Sequence, residues 1–71
     1  MELREAIEAL QVLGHSEQRI AQLVAEEAGE TCTQATINRI KLGRIQNPRF
    51  TIGAALLRVH QRLTEPAGRA A

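Results

Sequence analysis

Three glycines divide this chain. Gly14, Gly29 and Gly43 each follow a stretch in which aliphatic residues recur at threes and fours, the spacing that lines one face of a helix. Glycine adopts the left-handed conformation that closes a helix without steric cost. The pattern therefore predicts three glycine-terminated helices, with a fourth beyond Pro48. The first should run from Glu2 to Leu13, with Leu3, Ala6, Ile7, Leu10 and Leu13 inward and early glutamates favouring the helix dipole. The second should follow Ser16 as N-cap, burying Ile20, Ala21, Leu23, Val24 and Ala28 and including Ala25–Ala28 as an added turn. The third should begin at Gln34 with Thr33 as cap, although Thr31 and Gln34 also fit a capping box starting two residues earlier. The fourth should run from Thr51, as cap, to Leu63. Its inner stripe is Ile52, Leu56, Val59 and Leu63, widened by Ala55 and Leu57.

No run alternates apolar with polar residues, so the expected class is all-α: a small four-helix bundle over residues 1–63, with 64–71 a disordered tail. At 71 residues the chain sits near the lower limit for a self-sufficient core, and that core must be aliphatic, because Phe50 is its one aromatic residue. Phe50 is expected to plug the core beneath the third helix. The single Cys32 precludes an internal disulfide and fits a reducing cytoplasm. The amino end has no signal-peptide pattern, and no apolar run reaches the ~18 residues of a membrane span. With no Asp in the chain, His15 and His60 have no triad partner of that kind, and no zinc spacing is present. Neither an enzyme nor a cofactor, metal or small-molecule ligand is expected.

Chemistry is concentrated in Thr33–Gly43. Ile37 and Ile40 share one face of the third helix, and Gln34, Ala35, Asn38 and Arg39 lie away from it. Gln can pair with adenine and Arg with guanine, while the Ala35 methyl can pack on a thymine methyl. An amphipathic surface helix with no such role would look similar, and the residues that follow separate the two readings. Thr33-Gln-Ala-Thr-Ile-Asn-Arg-Ile-Lys-Leu-Gly43, continued by Arg44-Ile-Gln-Asn-Pro-Arg-Phe50, resembles the recognition helix and following loop of lambdoid phage Cro proteins and repressors. This is the XRE-type helix-turn-helix family.

The resemblance implies a lambda repressor-like DNA-binding domain. Gln34, Ala35, Asn38 and Arg39 would read bases. Thr33, Thr36, Lys41, Arg44, Gln46 and Arg49 would hold the DNA backbone. Ser16 and Gln18 would serve the same purpose at the start of the second helix, where the family often has Gln and this chain has Glu17. An ion pair common in the family is missing, since Leu10 and Lys41 occupy its places. That leaves Lys41 free for phosphate or solvent. The segment from Ala21 to Thr33 is roughly six residues longer than the usual turn would make it.

Charge is unevenly divided along the chain. Residues 1–30 carry seven glutamates against Arg4 and Arg19, whereas residues 31–64 carry six basic residues and no acid. Such a split predicts a basic face for nucleic acid. The expected function is operator binding by a small phage or bacterial transcriptional regulator, a Cro-like repressor. Its partners would be double-stranded DNA and a weak homodimer using the Ile52/Leu56/Val59/Leu63 stripe. The alternative is an antitoxin-type or other protein–protein module that touches DNA secondarily.

Overall fold

The computed structural model describes residues 2–45 and 49–65. It contains four helices, α1 (Leu3–Val12), α2 (Glu17–Ala28), α3 (Gln34–Lys41) and α4 (Phe50–Thr64), and no strand among the described residues. None of these helices is long and apolar enough to cross a membrane. The alternative start of α3 at the Thr31 capping box does not form. Gln46, Asn47 and Pro48 lie outside the described residues, as does the tail from Pro66; α4 itself runs one turn position past its expected end, to Thr64.

Local chemistry sets the helix boundaries. The Arg19 N–H donates to the Ser16 hydroxyl at 3.1 Å, and the Thr36 N–H donates to the Thr33 hydroxyl at 3.2 Å. Each cap satisfies one of the donors that a helix start leaves unpaired. Gly29 closes α2 with φ of 71°, and its N–H donates to the Ala25 carbonyl. At the end of α3, Gly43 has φ of 77°; its N–H reaches the Ile40 carbonyl at 3.1 Å and the Arg44 N–H reaches Arg39 at 2.8 Å. That pair of bonds is a Schellman turn, which a left-handed residue permits. The end of α1 has the same pattern, through the N–H groups of Gly14 and His15.

The core is wholly aliphatic: Ala6, Ile7, Leu10, Ile20, Ala21, Leu23, Val24, Ile37, Ile40, Ile52, Ala55, Leu56 and Val59. Leu3, Ala28, Cys32, Ile45 and Leu63 pack at its margin. The α2 helix packs against both α3 and α4, while α1 braces the same two from another side. Among the helices, α3 is held by α1 and α2 and makes no close approach to α4. Burial thus fixes one edge of α3, through Ile37 and Ile40, and leaves its opposite face in solvent.

Four expectations are corrected. Phe50 is 87% exposed and plugs nothing. It lies two residues before Ile52, which turns it roughly 200° away from the buried stripe. Thr51 is inside α4 rather than capping it; Arg49 occupies the cap position and makes no side-chain cap bond. Leu13 is 53% exposed, at the C-cap position just past the end of α1, toward the edge of the inner face. Leu57 is also exposed, and Ile52, Leu56 and Val59 are buried within the domain, so that stripe is not available to a second copy.

Candidate nucleic-acid interface

The α3 helix lies at the centre of the site. Its inner edge is Ile37 and Ile40, and its exposed face presents Gln34, Ala35 and Arg39. Arg44 follows in solvent, directed by the Gly43 turn. Thr33 is committed as cap, and its hydroxyl lies 3.1 Å from that of Thr36. Ser16 and Gln18 are exposed at the start of α2, with the Ser16 oxygen engaged in its cap.

Asn38 departs from the expected arrangement. It is half-buried, and its Nδ2 donates to the Glu17 carboxylate at 3.2 and 3.4 Å. Lys41 is not free either: its Nζ lies 3.9 Å from the same carboxylate. One acid at the first position of α2 therefore engages two residues on the flank of α3.

The expected basic face is largely neutralised in three dimensions. Arg49 pairs with Glu30 at 3.0 Å, while Arg58 and Arg62 share Glu27 at 3.0 and 2.9 Å. With Lys41 on Glu17, four of the six cations from residues 31–64 face acids from residues 1–30. The physical reason is that α2 packs against both α3 and α4, which brings Glu17 and Glu27 beside their cations, while Glu30, just past the end of α2, meets Arg49 at the start of α4. Among the described residues, Arg39 and Arg44 are in no ion pair. The acidic partners were not foreseen from sequence, because 19 to 35 residues separate the bonded groups and no local spacing signals them.

Glu30 also accepts a hydrogen bond from the Thr51 hydroxyl. That bond, and then the hydrogen bond and charge of Arg49, outweigh partial desolvation and hold its carboxyl below the usual glutamate range. A carboxyl with a lowered pKa in the folded state adds stability above its ordinary pKa and loses it as pH falls through the lowered value. Wild type should therefore have a higher thermal midpoint than Glu30→Gln at neutral pH, and the gap should close on acidification. A gap constant from pH 7 to strongly acidic conditions would contradict the assignment. Burial, with a contribution from the Glu30 charge, pushes the Cys32 thiol up, away from the reactive thiolate.

An open cleft of about 550 Å³ lies beside this junction, lined by Glu30, Thr31, Thr36, Ile45, Arg49 and Ile52. No protein-family model matches the chain, and no curated protein or solved structure matches it with significance.

Proposed function

We propose that this chain binds double-stranded DNA as a small helix-turn-helix regulator of the Cro/repressor kind. In this reading α3 enters the major groove and the start of α2 lies over the backbone. One observation carries it. The exposed face of α3 combines Gln34, Ala35 and Arg39 on a short, capped helix, and Arg39 and Arg44 are the cations there in no ion pair among the described residues. Gln34, Ala35, Arg39 and Asn38 read bases; Ser16, Gln18, Thr33, Thr36, Arg44 and Arg49 hold phosphates. Lys41 serves chiefly to neutralise Glu17. Repression would follow from occupying a promoter in a reducing cytoplasm.

The test is selection of bound duplexes from a random pool, followed by a salt titration on the enriched site. Log affinity should fall with log salt at about −0.9 per phosphate neutralised. Affinity unchanged between low and physiological salt would overturn the reading. Pairing on a palindrome would place half-sites ~34 Å apart, as two-fold docking of such helices requires. Phe50 and Leu57, seven apart on the outer side of α4, are the exposed large apolar groups available on that helix for a weak dimer.

A second reading is favoured by the same exposed Phe50 together with the neutralised cations: a protein–protein module that touches DNA secondarily. Protein that binds no duplex yet co-purifies with a stoichiometric partner would establish it instead.

A further inference from the structure

Glu17 occupies an unexpected place for a DNA binder, since a carboxylate at the start of α2 would repel a phosphate. Its surroundings give it a different use. The side chain is 16% exposed and lies against α3, where Asn38 Nδ2 and Lys41 Nζ both approach it. Asn38 and Lys41 are three apart and share a flank of the helix. At ~100° per residue, Asn38 is only about 60° from Ala35 on the exposed face, and it is half-buried.

An amide can present either of its two ends, and a free asparagine can rotate between them. A carboxylate can only accept, so it binds the nitrogen end and excludes the oxygen end. The contacts at 3.2 and 3.4 Å therefore hold the Asn38 amide in one sense, with Oδ1 turned away from the acid. Lys41 offsets the charge of the carboxylate that does this. We infer that Glu17 is a positioning residue for base recognition, fixing Asn38 as a hydrogen-bond acceptor toward the groove. In the major groove the donors are the exocyclic amines, adenine N6 and cytosine N4; guanine O6 and thymine O4 are acceptors. The contacted strand should accordingly favour A or C over G or T at one position. This inference rests on the DNA-binding reading above.

Two measurements separate failure of the inference from failure of that reading. In the free protein, the Asn38 side-chain ¹⁵N–¹H resonances should move upfield in Glu17→Ala, as the bond to the carboxylate is lost. Resonances unmoved by Glu17→Ala would overturn the inference without any DNA. On duplexes selected from a random pool, wild type should favour A or C at one position by about tenfold, the scale of one good base contact. Glu17→Ala and Asn38→Ala should each reduce that to about twofold or less and leave every other position unchanged. Adding Glu17→Ala to Asn38→Ala should then change nothing further at that position, because the two act as one unit. Glu17→Gln keeps one accepting oxygen and should retain part of the preference. Circular dichroism checks that each variant remains helical, with Ser16 still capping α2. A sequence-specific wild type whose preference survives Glu17→Ala overturns this inference alone. Wild type with no sequence preference overturns the base-reading role of α3 and this inference with it.

Discussion

Ile37→Ala should bring the whole domain close to unfolding. Ile37 is fully buried, on the edge of α3 that packs into the domain, and truncating such a residue costs about 2–5 kcal/mol. A domain of this length has a total stability of roughly 4–10 kcal/mol, so much of it would be lost. Urea denaturation followed by circular dichroism would measure the change. The informative control is Phe50→Ala. Loss of an aromatic ring usually ranks among the most damaging substitutions, yet Phe50 is 87% exposed. Its truncation should stay within about 0.5 kcal/mol, as for other surface positions. If Phe50→Ala lost as much as the roughly 2–5 kcal/mol expected of Ile37→Ala, the assigned register of α4 would be wrong.

The second large effect separates base reading from anchoring. Gln34→Ala should cost about 1–3 kcal/mol on the preferred duplex and flatten selectivity at one base pair, and Arg39→Ala should do so at a neighbouring one. Both side chains are exposed on α3, so the fold should be unaffected. Gln34 and Arg39 are five residues apart and do not share a ridge, but both would reach a groove floor if the helix entered amino end first. Arg49→Ala should instead weaken binding to every sequence alike and make the salt dependence shallower by about one unit. Its starting state matters, because Arg49 is paired with the Glu30 carboxylate and would have to exchange it for a phosphate on binding. Binding of each variant to preferred and scrambled duplexes gives the comparison. Proportional losses in Gln34→Ala and Arg49→Ala would mean that α3 does not read bases.

What could be read from sequence was whatever depends on neighbours in the chain. Ser16, Thr33, Gly14, Gly29 and Gly43 bound the helices as expected, because capping acts across three or four residues. The added turn Ala25–Ala28 extends α2 for the same reason. Phe50 lies inside α4 rather than before it, because the helix begins one residue ahead of the Thr51 cap that the sequence suggests. The spacing of Ile52, Leu56 and Val59 already turns position 50 outward. The charge pairs could not be read at all. Glu17 meets Asn38 and Lys41, and Glu27 meets Arg58 and Arg62, only once α2 has packed against its neighbours. The linear split between an acidic and a basic half therefore looked like a basic face, when much of it is an internal match.

The aliphatic core leaves the choice among alternative packings to other parts of the molecule. Among the described residues no polar side chain is buried in it, so no buried hydrogen bond specifies which aliphatic side chain fills which place. Branched hydrocarbons of similar volume exchange places at small cost and lose uniqueness before they lose stability. The information that selects one arrangement must then reside at the margins, in two hydroxyl caps, the left-handed glycines and the acids of α2. Volume-conserving swaps among Ile, Leu and Val inside should leave a folded domain, while Thr33→Ala should cost about 1 kcal/mol by removing the cap of α3. Drift in sequence would be absorbed by the centre and checked by the ends.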